Sequence, residues 1–208
     1  MKPKDESKPP YEALEKRVAE LEQRNNFLED ENNVLREQSV RDGKTGLYNA
    51  NFYNRNIADI VGRSSQKEEG IGIVFIDMNK LKYLNDNFGH KEGDRVMRDL
   101  ARIMESSVKS IDYVIRWGGD EFVILLSNAD GSTGKSVIDR ITDKIAKYNE
   151  HNRIESKDKK GNPISYELSV SCGYELRAHT STEPMDDIID RSDKLMYRQK
   201  HGTDKKSD

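Results

Sequence analysis

Asp120 and Glu121 form a carboxylate pair directly after two glycines, in the stretch Arg116-Trp117-Gly118-Gly119-Asp120-Glu121-Phe122. A glycine turn lets another molecule approach the backbone closely. Adjacent carboxylates at such a place suit a hard divalent cation that also carries a phosphate ligand. Taken alone, these residues fit a solvated acidic turn equally well. A second carboxylate, Asp77, closes the apolar run Ile71-Gly72-Ile73-Val74-Phe75-Ile76. It therefore stands at the edge of the core, where sites are commonly built; the other role open to it is capping a following helix. The spacing of Asp77 and Asn79 raises a calcium-loop reading, but the sixth position of such a loop requires Gly and is Lys82 here. A lysine there suits a phosphate better. Lys194 and Arg198 are four apart and share a helical face, opposite Ile188, Ser192, Leu195 and Met196. They either reach a ligand or form a solvated basic face.

The elements that must hold these groups are legible from apolar spacing. Tyr113-Val114-Ile115 and Phe122-Val123-Ile124-Leu125-Leu126 flank the glycines and predict a β-hairpin. The run ending at Asp77 predicts a buried strand. Helical spacing marks 49–61, then Val96, Leu100, Ile103, Met104 and Val108, then Ile138, Ile141, Ile145 and Tyr148. Lys159-Lys160-Gly161-Asn162 reads as a turn into a strand from Tyr166 to Tyr174. A last helix carries Ile188, Ile189, Ser192, Leu195 and Met196, with Pro184 near its start. Alternating strands and helices predict a sheet with helices packed over it, an α+β domain.

Ahead of that domain, residues 1–10 are polar and proline-containing and read as a disordered tail. Leu14, Leu21, Leu28 and Leu35 then recur every seven residues, with Val18, Asn25 and Asn32 at the companion positions. Leu at d with Asn at a is the pattern of a parallel two-stranded coiled coil over 11–38. The flanking pairs Arg17–Glu22, Arg24–Glu29 and Glu31–Arg36 are all opposite in charge. A single amphipathic helix is the other reading, although a stripe this narrow is unusual for one. Ser39 to Lys44 reads as a linker into the main domain, 39–208.

Of the 208 residues, 34% are hydrophobic, against about 45–50% in globular chains, so part of the chain is exposed helix or tail. A net charge of -3 argues against general nucleic-acid binding. Pro3, Pro9 and Pro10 interrupt any basic helix ahead of the zipper, so DNA reading of the zipper type is excluded as well. Lone Cys172 reads as a buried, inert thiol. No apolar run reaches the roughly 18 residues of a membrane span, and the first residues lack a signal-peptide core. The expected location is the cytoplasm.

Four separated segments together resemble the GGDEF-domain diguanylate cyclases. They are Asp42-Gly43-Lys44-Thr45-Gly46-Leu47-Tyr48-Asn49; the stretch from Asp77 to Asp86, running on through Gly89-His90 and Gly93-Asp94; Gly118 to Phe122; and Ser192 to Arg198. The likeness spans about residues 39–202. It implies a nucleotidyl-cyclase or polymerase-palm fold: a central five-stranded, mostly antiparallel sheet flanked by helices. It also implies condensation of two GTP into cyclic di-GMP and two pyrophosphates, each domain of a homodimer holding one GTP. By the same resemblance Asp77, the Met78 carbonyl, Asp120 and Glu121 hold two Mg²⁺ ions, with Mn²⁺ able to replace them, and Asp120 assists deprotonation of the attacking hydroxyl. Lys82, Lys194 and Arg198 match triphosphate contacts, Gly118 and Gly119 the close approach, and Asn85 and Asp94 the guanine-reading positions, with His90 between them lining the site or serving the fold. A carboxylate accepts from guanine N1–H and N2–H but faces an acceptor at adenine N1, so GTP is favoured over ATP. The alternative is a domain that has lost catalysis and serves as a GTP or cyclic di-GMP receptor or a dimeric scaffold. No sensor segment is visible, so a signal enters through the zipper, a regulatory partner or expression level.

The chain departs from the family pattern at several places. Asn79 stands where many relatives carry Asp, Leu81 where many carry Phe, and Ala50 where a basic residue is common. Lys109-Ser110-Ile111-Asp112 replaces an Arg-x-x-Asp product-inhibition site. Lysine lacks the planar fork that binds phosphate or guanine bidentately, so tight product feedback at this site is expected to be absent. Initial rates measured against added cyclic di-GMP check this; submicromolar inhibition that disappears in Lys109→Ala would overturn it.

Overall fold

A computed structural model describes residues 11–158 and 160–202. The expected tail at 1–10 and Lys159 of the expected turn lie outside the described residues. So do the side chains of residues 12 and 33–38, and with them the Leu35 layer and Arg36 of the heptad pattern. Two compact units divide between Val40 and Arg41. The described residues of the first form one helix, α1 (Tyr11–Ser39), and Val40 after it. Along it Leu14, Val18, Leu21 and Leu28 are 49%, 53%, 53% and 39% exposed. Asn25 donates to Glu29 at 3.0 Å within the same helix, and Asn32 donates to the Leu28 carbonyl.

The second unit holds a five-stranded sheet in the order β1 (Tyr48–Asn49), β3 (Tyr113–Arg116), β4 (Glu121–Ala129), β2 (Gly70–Met78), β7 (Val170–Arg177). Among the described residues only the β1–β3 pair of this sheet is parallel, as the mostly antiparallel expectation requires. Helices α2 (Ala50–Gln66), α3 (Leu81–Phe88), α4 (His90–Glu105), α5 (Thr133–Asn152) and α6 (Met185–His201) complete the α+β fold. Among the described residues no helix is long and apolar enough to cross a membrane.

Strand β2 lies between β4 and β7, and its residues from Ile71 to Met78 are buried. Its pleat alternates. Val74, Ile76 and Met78 join Phe122, Ile124 and Leu126 of β4 in a core with Leu100 and Met104 of α4 and Ile141 of α5. The odd-numbered positions, Asp77 among them, therefore point to the opposite face, where α6 packs. Gly173 on β7 makes that packing close: a Cβ there would stand 1.9 Å from the Ser192 carbonyl and 2.5 Å from the Met196 amide. Cys172 beside it is buried and unbridged, and burial pushes its thiol up to about 12, as an inert core thiol requires.

Three expectations are corrected in detail. Tyr166 to Tyr174 is not one strand. Tyr166 ends β6 (Pro163–Tyr166), which pairs with β5 (Ile154–Lys157) in a separate two-stranded sheet. Between β6 and β7 the Asn149 side chain accepts from the Leu168 amide and donates to its carbonyl, replacing ladder bonds with an amide clamp. Val108 lies beyond the end of α4, where Ser107 instead donates back to the Ile103 carbonyl. The supposed linker belongs to the domain from Arg41 on: Asp42 donates its amide to the Leu47 carbonyl, and the Asp42 carboxylate meets Arg116.

Because the Gly173 contact is with α6 backbone, Gly173→Ala is expected to destabilise the domain by about 2–3 kcal/mol, read as a lower urea midpoint; an unchanged midpoint would show that α6 tolerates displacement.

Candidate active site

The antiparallel register of β2 and β4 sets Asp77 directly opposite Glu121. Like charges in that relation repel. Asp77 is 6% exposed, and burial raises its carboxyl above the usual range, with Asp120 and Asp193 adding to the effect. Glu121 is raised as well, by burial first and then by Asp120, Asp193 and Asp77. One cation opposes them: Lys200 Nζ donates to Asp77 Oδ1 at 2.7 Å. Lys200 stands four residues after buried Met196, so the helix repeat puts it on the inner face of α6. Sequence reasoning singled out Lys194 and Arg198 instead. Both are exposed on α6, without an ion-pair partner among the described residues.

The hairpin is held from three sides. Met78 donates its amide to the Asp120 carbonyl at 2.9 Å. Trp117 and Gly118 both donate to the Glu121 carbonyl, so the loop spans Trp117 to Asp120 rather than the glycines alone. Arg116 donates to both oxygens of Asp42 at 3.0 Å and to the Gly119 carbonyl at 2.7 Å. Burial works to raise the Asp42 carboxyl, but hydrogen bonds from Thr45 and Arg116 outweigh it and hold it low. A Cβ on Gly118 would stand 2.9 Å from Glu121 Oε2, whereas nothing lies within 4 Å above Gly119. The glycine pair thus serves two ends: room for the neighbouring carboxylate and open access to the backbone.

Among the described residues no three carboxylates or imidazoles form a ready-made metal cage. A hard divalent cation takes oxygen ligands and is commonly completed by substrate phosphates. The all-oxygen donors and the surplus negative charge around Asp77 and Glu121 fit such an ion. Asn79, two residues on, is committed to the fold. Its Oδ1 accepts from Ser171 at 3.0 Å, and its carbonyl accepts from the Tyr166 hydroxyl.

A second cluster gathers at α3 and α4. Asn85 Oδ1 is buried with no partner, and a Cβ on Gly93 would stand 2.0 Å from it. The next residue, Asp94, accepts at 2.8 Å from Lys44 Nζ, a pairing that no local sequence period signals because the partners are fifty residues apart. The side chains of Lys82 and His90 are exposed, without a hydrogen bond to a described residue. The structure thus sets Asp77 opposite Glu121, and Asn85 against Gly93, the chain neighbour of Asp94.

Residues 39–206 match the family described as "Diguanylate cyclase, GGDEF domain". Over 163 residues the chain is 28% identical to diguanylate cyclase DgcS of Shewanella oneidensis, covering 78% of this chain and 50% of that protein. Over 189 residues it is 29% identical to diguanylate cyclase DgcP of Pseudomonas aeruginosa, covering 91% of this chain and 26% of that one. The chain thus spans half or less of these relatives. Among solved structures, the coiled coil and GGDEF domain of DgcB from Caulobacter crescentus in complex with c-di-GMP superposes with a TM-score of 0.74 at 21% identity, covering 92% of this chain and 96% of that one. Diguanylate cyclase SiaD from Pseudomonas aeruginosa, in complex with its activator SiaC, gives 0.68 at 26% identity, covering 92% and 70%.

Replacing Lys200 with Met leaves Asp77 buried beside Glu121 without its cation. Lys200→Met is expected to cost about 2 kcal/mol in metal-free urea denaturation, part of it recovered on adding Mg²⁺; an unchanged metal-free midpoint would show the pair to be incidental.

Proposed function

We propose, starting from a chain that belongs to the GGDEF-domain diguanylate cyclase family, that it condenses two GTP into cyclic di-GMP across a homodimer. In each half-reaction the 3′-hydroxyl oxygen of one GTP bonds to the α-phosphorus of the other. The bond from that phosphorus to pyrophosphate breaks, and the hydroxyl proton passes to a base. Asp120 is the base, with Glu121 assisting. The observation that carries this reading is the convergence of Asp77 and Glu121 across β2 and β4, next to Asp120. Asp77, the Met78 carbonyl, Asp120 and Glu121 are the oxygens that would hold two Mg²⁺, or Mn²⁺ in their place. Such ions neutralise the triphosphate and acidify the attacking hydroxyl. Lys82, Lys194 and Arg198 bind phosphate oxygens, and their freedom from ion pairs with described residues keeps them available. Asn85 and Asp94 read guanine, with His90 at the rim of that cluster.

The half-exposed stripe Leu14, Val18, Leu21 and Leu28 supports pairing of α1 with a second copy as a parallel coiled coil. That pairing brings two domains, each with one GTP, within reach of each other. A regulatory input acts through this helix or through a protein partner; SiaD, to which the chain is similar, was solved in complex with its activator SiaC.

Purified chain incubated with GTP and Mg²⁺ is expected to yield cyclic di-GMP, resolved by chromatography and mass. Asp120→Ala is expected to lower the rate by about a hundredfold or more while light scattering still reports a dimer. No product from a dimer that binds GTP would assign the receptor or scaffold role instead.

A further inference from the structure

Lys44 falls inside the first of the four segments that carry the family resemblance, but neither the proposed metal and phosphate contacts nor the proposed guanine readers include it. It projects from a turn that Asp42 makes rigid. The Asp42 carboxylate accepts from the Lys44 amide, the Thr45 amide and the Thr45 hydroxyl, and it is clamped in turn by Arg116. From that turn Lys44 Nζ reaches Asp94 Oδ1 at 2.8 Å, with side-chain exposures of 56% and 33%. Among the described residues Asp94 is the one hydrogen-bond partner of this ammonium, which carries three N–H donors. Asp94 retains a free oxygen, and across Gly93 lies the unpaired, buried Asn85 Oδ1. The ammonium also holds the Asp94 carboxyl below its usual range, keeping it an acceptor.

This set of groups has a pattern: a cluster of acceptors with one donor at its side. The Watson–Crick edge of guanine is its complement, with N2–H and N1–H donating and O6, adjacent to N1, accepting. A carboxylate that takes N1–H brings O6 next to whatever donor already sits on that carboxylate oxygen. Adenine offers an acceptor at N1 and a donor at C6, so it would meet Asp94 with repulsion and Lys44 with an amino group.

We propose that Lys44 is a specificity-determining residue that donates to guanine O6 while bridging to Asp94. It rests on the proposed use of guanine nucleotides, and it adds a base contact from outside α3 and α4. Because Lys44 and Asp94 are already paired, the edge is pre-organised before a nucleotide arrives.

The test is equilibrium dialysis of the full chain with the α,β-methylene analogues of GTP and ATP, which bind without releasing pyrophosphate, on wild type, Lys44→Met and Lys44→Arg. Lys44→Met is expected to weaken the guanine analogue about tenfold and leave the adenine analogue unchanged, and Lys44→Arg, which keeps a donor, to retain guanine affinity. Equal losses for both analogues would mean bulk attraction for the triphosphate and overturn the assignment. Unchanged or tightened guanine binding in Lys44→Met overturns it too, the latter making Lys44 a latch over Asp94. A wild-type chain that binds neither analogue overturns the guanine-nucleotide reading itself, and the inference with it.

Discussion

The burial of Asp77 at the end of β2, opposite Glu121 and in the field of Asp120 and Asp193, is the constraint around which the site is arranged. Two carboxylates directly opposed on neighbouring strands, one of them 6% exposed, do not stabilise a fold unless positive charge is supplied. The chain supplies Lys200 from α6. That helix approaches β7 closely because Gly173 carries no side chain. A site that stays negative in spite of one internal cation still attracts another, and the oxygen chemistry of the cluster suits a hard ion. The same charge density that disfavours folding is what suits the cluster to a hard cation.

Arg116 organises the other side of the hairpin. Its guanidinium spans the Asp42 carboxylate and the Gly119 carbonyl, so the turn at the entry of the domain and the glycine loop share one anchor. Arginine suits this role because its planar fork meets two acceptors in fixed geometry. The loop itself remains open above Gly119, where a ligand can reach the backbone.

The carboxylate cluster and the polar cluster stand on different elements. The carboxylates occur at the ends of β2 and β4, while Asn85, Asp94 and Lys44 occur on α3, on α4 and in the turn ahead of β1. Asn79 lies between the two regions and serves neither, because its amide and carbonyl bind β6 and β7 together. A neutral side chain suffices at that position, since the work there is hydrogen bonding within the fold.

Local pattern in the sequence determined a great deal. Apolar runs and their spacing located the buried strand ending near Asp77, the hairpin around the glycines and most of the helices, because pleat and helix periods are properties of short segments. The carboxylates were legible for the same reason: they end or flank such runs. The heptads of α1 could likewise be counted, since that period is local. Tertiary structure decided which charges meet. Lys200 and Asp77 are separated by 123 residues, Lys44 and Asp94 by 50, and Arg116 and Asp42 by 74, and no local period links such pairs. It also decided that Tyr166 to Tyr174 divides between two sheets, because the clamp responsible comes from Asn149 on a helix that precedes both strands. Local periodicity fixes what each segment becomes, and packing alone determines which side chains from distant segments come into contact.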